Sequence, residues 1–210
     1  MNAAAYISWL AKAPLRPEVI DGVRAMPAIA AGGGIARPQV EDRSAFRGWG
    51  GYGEDRSIYT QKLFAPEGEE PRTLHLGIDI FAPADIDVMT PVDGKVHSFR
   101  VNDNPGDYGP TIILEHRPAP GLLFHTLYGH LSRASLKGLK PGEVFMAGER
   151  IASLGARTEN GGWPPHLHFQ VLLDIGSAKG DYPGVCKRSE RDHWLSICPD
   201  PAVLLGLPAH

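Results

Sequence analysis

The sequence predicts a mainly β fold: a small antiparallel β-sheet core, built as a sandwich or partly open barrel, with short N-terminal helices and long loops. Two observations carry that prediction. Glycine and proline are abundant, 25 and 19 of 210 residues, which favours short strands and frequent turns over long helices. From Thr73 onward, short apolar and β-branched runs recur between turn signals, the spacing of an antiparallel sheet rather than of alternating strands and helices.

Taken in order, two helical segments come first. Ala3 to Ala13 places Tyr6, Ile7, Trp9 and Leu10 within about one and a half faces, and Pro14 blocks continuation. Arg16 to Met26 follows, with Val19, Ile20 and Val23 as its apolar stripe and Pro27 as its stop. Both are expected to pack on the outside of the core. Ala30 to Pro38, with glycines at 32, 33 and 34, reads as a flexible linker. Arg43 to Glu70 is aromatic and glycine-rich without clear periodicity, and reads as loop with one short strand, lying over the core or beside a cleft.

Strands are then expected over Leu74–Phe81, Asp87–Thr90, Gly94–Val101, Thr111–Glu115, Leu122–Tyr128 and Arg150–Leu154, and through the His166-Leu167-His168 run. Turns separate them at Pro83, Asp93-Gly94, Asn104-Pro105-Gly106, Pro118 to Gly121 and Leu139 to Gly142. The organisation expected is an N-terminal arm over residues 1–70, a core over 71–175 and a loop-rich tail over 176–210 packed on that core.

Composition narrows the function. Hydrophobic residues at 42% and charged residues at 21% describe an ordinary globular chain. A net charge of -3 and a pI near 6.3 give no electrostatic footprint for nucleic acid, and no run approaches the roughly 18 apolar residues of a membrane span. Lys12 interrupts the only apolar run near the start, so the expectation is a cytoplasmic protein, reaching the cell envelope only by another export route. Cys186 and Cys198 are expected as reduced thiols, and the oligomeric state is open.

Three places supply candidates for chemistry. Alternation along a strand directs His166 and His168 to one face while Leu167, Phe169 and Val171 enter the core. The same alternation places His75, Gly77 and Asp79 together, and ends the run Thr126-Leu127-Tyr128-Gly129 at His130. Four histidines and one aspartate suit a metal centre. A catalytic zinc takes three protein ligands and keeps a position for water, leaving two groups for protons and developing charge. His97, His116, His125, His193 and His210 lack partners at useful spacing and are read as structural or surface residues, and Asp85, Asp87 and Asp93 as turn residues.

His75-x-x-x-Asp79, Tyr128-Gly129-His130-Leu131 and His166-Leu167-His168-Phe169, in that order, resemble the lysostaphin-type zinc metalloendopeptidases, the β-lytic murein hydrolases. The resemblance spans about Arg72 to Leu173. It implies a β core of duplicated hybrid type with a groove over a Zn2+ ion, and cleavage of glycine- or D-amino-acid-containing peptides of peptidoglycan. It further implies that His75, Asp79 and His168 are the zinc ligands and that His130 and His166 are the catalytic pair. Two departures stand out: Asn160 to Pro165 replaces a Ser-Thr-Gly-Pro type turn, and Gln170 stands where an acidic residue is common.

Trp163 to Phe169 and Trp194 to Pro201 also resemble the peptidase-like module fused to class III aminotransferases and small-molecule kinase-like domains. The Val92 to Val96 and Gly142 to Leu154 segments resemble lipoyl and biotinyl carriers and a two-histidine phosphoryl carrier of sugar transport. Lys95 is in the wrong context for a modified lysine, and a phosphoryl carrier leaves Asp79 without a role. A zinc-containing module that binds peptides or assists a metabolite enzyme without cleaving is the remaining alternative.

Overall fold

A computed structural model describes residues 3–16, 18–29, 47–59 and 61–210. The strands are β1 (Gly48–Gly50), β2 (Arg72–His75), β3 (Ile78–Phe81), β4 (Asp87–Met89), β5 (Gly94–Asn102), β6 (Gly109–Ala119), β7 (Leu122–Gly129), β8 (Val144–Phe145), β9 (Arg150–Ser153), β10 (His166–Leu172) and β11 (Val185–Lys187). Helices α1 (Ala3–Leu10) and α2 (Arg191–Ile197) flank them. None of the described helices is long and apolar enough to cross a membrane.

Among the described residues the main sheet is seven-stranded, in the order β1-β3-β10-β7-β6-β5-β8, with every pair antiparallel. It is open rather than a closed barrel, and two-stranded sheets β11-β2 and β4-β9 attach to it. The expected mainly β, antiparallel fold is therefore present. Length and pattern account for the central strands: in β10 Leu167, Phe169 and Val171 join the main core while Leu172 packs in a second cluster on the other side with Leu74, Ile113 and Leu127. A strand covered on both faces carries its polar residues only where they have partners.

Local expectations differ from the structure in three places. Leu74 to Phe81 is two strands, because β2, which pairs with β11, ends at His75 and the chain joins the main sheet as β3 only at Ile78. Between Arg16 and Met26 the only helix among the described residues is one 3-10 turn at Val23–Ala25, preceded by Gly22 in the left-handed region. The N-terminal residues also lie inside the core rather than on it. Tyr6, Val19, Ile20 and Val23 are fully enclosed in the cluster that contains Ile80 and Leu167, and Tyr6 meets Phe124 edge-on at 5.1 Å between ring centroids. The linker expected over 30–38 lies outside the described residues. Cys186 and Cys198 are free and buried.

Candidate metal centre

Strand order brings the candidate residues together. In the β3-β10 pair His168 lies opposite Asp79, and in the β10-β7 pair it lies opposite Gly129, which precedes His130. His75 ends β2 and reaches the same point across the break at Gly77. A Cβ on Gly77 would sit 2.6 Å from His168 Cε1, so glycine there makes room for an imidazole on the neighbouring strand. His130 leaves β7 with φ 63, a left-handed conformation rare outside glycine. That turn directs its ring back over the sheet, 4.2 Å from the His166 ring between centroids.

Three donor atoms converge. His75 Nε2 lies 2.9 Å from His168 Nδ1, and Asp79 Oδ1 lies 3.3 Å and 3.2 Å from those two atoms. All three residues are buried, and the donor atoms lie within 4.8 Å of one another. Tetrahedral bonds of about 2.0–2.1 Å to zinc separate neighbouring donors by about 3.3 Å. The spacing therefore fits one small cation.

Hydrogen-bond partners fix what these atoms offer. His75 Nδ1–H donates to the Gly51 carbonyl at 2.8 Å, so Nε2 presents a lone pair. His168 Nε2–H donates to Gln170 Oε1 at 2.9 Å, so Nδ1 presents another. Gln170 is itself oriented, since its Nε2 donates to the Pro183 carbonyl and to Cys198 Sγ at 3.1 and 3.3 Å. An amide oxygen thus performs here the orienting role expected of an acidic residue. Two imidazole lone pairs and a carboxylate oxygen then face one another with no proton between them, an arrangement that a bound cation satisfies and that is repulsive without one.

The other two histidines share a different pattern. His166 Nδ1–H donates to the Pro164 carbonyl at 2.6 Å and His130 Nδ1–H to the Asn160 carbonyl at 2.8 Å. Both acceptors belong to the 160–165 turn. Asn160 is enclosed, and its side chain binds the Gly155 and Trp163 backbone. Each ring therefore keeps Nε2 free for the cleft, and His166 Nε2 is 3.8 Å from Asp79 Oδ1.

Burial holds His75, His130 and His166 neutral. Burial, followed by the nearby Arg56 charge, pushes His75 down to about 4. Burial and the His166 and His168 rings hold His130 well below the ordinary histidine range, and burial also lowers His166. For Asp79 burial opposes ionisation, but the Arg56 guanidinium against Oδ2 holds it well below the usual carboxylate range.

The site floors a cleft of about 440 Å³, walled by Tyr59, Phe64, Tyr108 and Trp163 among others. Two of its residues carry no sequence signal. Arg56 donates to Asp79 Oδ2 at 2.7 Å from a segment without periodicity, and Tyr108 places its hydroxyl 3.5 Å from His168 Nε2. By contrast His97, His116, His125, His193 and His210 lie outside the cleft lining. His116 instead bonds the Asp93 carbonyl and Thr126 Oγ1.

The model of Peptidase family M23 matches residues 73–179, half of the chain. Among solved structures, a zinc containing peptidase from Vibrio cholerae is 30% identical over 53% of this chain and 32% of that one, with a TM-score of 0.39. The catalytic domain of the antimicrobial peptidase lysostaphin from Staphylococcus simulans is 22% identical over 75% of this chain and 91% of that one, TM-score 0.47. The catalytic domain of a prophage-encoded M23 protein from Enterococcus faecalis is 19% identical over 64% and 88%, TM-score 0.43. The chain thus spans about a third of the Vibrio cholerae protein. No curated protein matches it. The matched segment runs from before His75 to beyond His168 and takes in Asp79, His130 and His166, and on that match the chain belongs to peptidase family M23.

Proposed function

We propose that the protein is a zinc-dependent endopeptidase that hydrolyses peptide bonds in peptidoglycan-type or glycine-rich peptides. The observation that carries this reading is the convergence of two imidazole lone pairs and one carboxylate oxygen beneath a cleft open to a peptide. His75, Asp79 and His168 would hold the ion. With one negative and two neutral donors, zinc would supply a Lewis acid of net charge +1 for carbonyl polarisation and for acidifying water.

The chain's own groups supply the proton chemistry. His130 and His166 each have Nδ1–H committed to a backbone carbonyl, which presents a basic Nε2 to the cleft. One accepts the proton of the attacking water; the other receives that proton in turn and, as the imidazolium, stabilises the oxyanion or passes the proton to the leaving amine. Their neutrality near pH 7 suits the first step. The substrate class rests on the resemblance of these motifs to murein hydrolases.

The test couples metal analysis to cleavage. Purified protein is assayed for bound zinc and incubated with peptidoglycan fragments and glycine-rich peptides, with mass spectrometry identifying products and His130→Ala and His166→Ala as controls. Zinc together with cleavage that each substitution lowers by about 10²- to 10⁴-fold is the expected result. Zinc with no cleavage of any substrate would leave a peptide-binding module, and absence of zinc would sink the reading altogether.

A further inference from the structure

Asp79 divides its two oxygens between different neighbours. Oδ1 belongs to the donor triangle, 3.3 Å from His75 Nε2 and 3.2 Å from His168 Nδ1. Oδ2 accepts from Arg56 Nη1 at 2.7 Å, with the two side chains only 5% and 2% exposed. The same guanidinium donates from Nε to Glu54 Oε2 at 2.7 Å and from Nη1 to Tyr59 Oη at 3.0 Å. We propose that Arg56 is a positioning residue of the metal centre: by occupying Asp79 Oδ2 it holds Asp79 as a one-oxygen donor and keeps a coordination position open for water and substrate.

The backbone around Arg56 is built for that task. A Cβ on Gly51 would fall 1.8 Å from Arg56 Nη2, and Gly51 has φ 99, so only glycine lets the guanidinium lie there. The Gly51 carbonyl also receives His75 Nδ1–H. The segment is tied to β2 by Arg56 N–H to the Thr73 carbonyl at 2.9 Å, His75 N–H to the Glu54 carbonyl at 2.8 Å and Gly53 N–H to the His75 carbonyl at 2.9 Å. One short stretch therefore orients two of the three donors, although it precedes the family match at 73–179.

Charge balance favours a geometric role. Arg56 faces two carboxylates, Glu54 and Asp79, so the cluster carries the same net charge as Asp79 alone. What the guanidinium adds is a rigid plane: with Nε held on Glu54, its Nη1–H is aimed at Asp79 Oδ2 and keeps that oxygen turned away from the donor triangle. A lysine retains the charge but not the plane.

This inference rests on the metal-centre reading, and the experiment separates the two. Arg56→Gln and Arg56→Lys are prepared beside the wild type. Zinc affinity is measured by chelator competition, and cobalt(II) is substituted for zinc to read coordination from the intensity of its visible absorption, which is high for four-coordinate and lower for five-coordinate cobalt. Expected are a loss of zinc affinity of about 10- to 100-fold in both variants and a drop in cobalt absorption as Asp79 becomes two-oxygen. Turnover should fall through kcat more than KM. Wild-type affinity and spectrum in folded variants would overturn the positioning role while leaving the metal centre standing. Wild-type protein that binds no zinc or cobalt would overturn both. If neither variant folds by circular dichroism, Arg56 is a folding element and the positioning role is overturned.

Discussion

His130 and His166 differ from His75 and His168 in what surrounds the ring, not in the ring itself. The first pair donates from Nδ1 to turn carbonyls and leaves Nε2 free, whereas the second pair turns its lone pairs on Asp79. Substitution should therefore separate them. His130→Ala or His166→Ala should retain zinc and lower kcat by about 10²- to 10⁴-fold, the usual worth of a positioned proton-transfer group; steady-state kinetics beside metal analysis reads both quantities. Loss of zinc from either variant would contradict the division. Gly77→Ala tests the packing beneath the centre. Its Cβ would lie 2.6 Å from His168 Cε1, so the ligand must shift, and chelator competition should show zinc held at least about tenfold more weakly. Tyr6 tests the far side of the core, because its buried hydroxyl has no hydrogen-bond partner among the described residues. Tyr6→Phe removes that desolvated group while keeping the ring against Phe124, and urea unfolding should find the variant as stable as the wild type or more stable by about 1–2 kcal/mol.

At the scale of elements, legibility followed the backbone pattern. His166-Leu167-His168 was readable because β10 alternates two histidines with core residues, and Leu122–Gly129 because apolar content and the Pro118 to Gly121 turn bracket it. Which strands are neighbours was not readable from alternation. Asp79 and His168 are 89 residues apart and meet only because β10 inserts between β3 and β7. Alternation also gave the right company for His75 and Asp79 by the wrong geometry: the strand breaks at Gly77, and the two residues meet across that break rather than along one face. Arg56 was invisible because a single arginine in a glycine-rich loop has no period to betray it. The helix expected over Arg16 to Met26 shows the opposite error, an apolar stripe of Val19, Ile20 and Val23 that the core uses directly, with Gly22 turning the chain instead of continuing a helix.

For the whole molecule, histidine burial links stability to pH. His116 lies at the β6-β7 pair, stacked on Phe124 and bonded to the Asp93 carbonyl and Thr126 Oγ1, outside the cleft. Burial pushes it down to about 4, against the opposing pull of the Asp93 carbonyl and the Glu115 charge. In the unfolded chain the same group returns to about 6.5. Between those values the unfolded state binds more protons than the folded one, so stability rises with pH across the window. The contribution is complete above about pH 6.5 and is lost as pH falls towards 4; a shift of this size is on the order of 3 kcal/mol. Urea unfolding of metal-free protein from pH 4 to 7.5 should show that slope, and His116→Gln should flatten it by up to one proton. Comparing the two proteins isolates His116 from His75 and His125, which burial also pushes to about 4. Parallel slopes would mean that His116 takes up its proton inside the fold as readily as in the unfolded chain, and that the β6-β7 pair opens to water below pH 6.5.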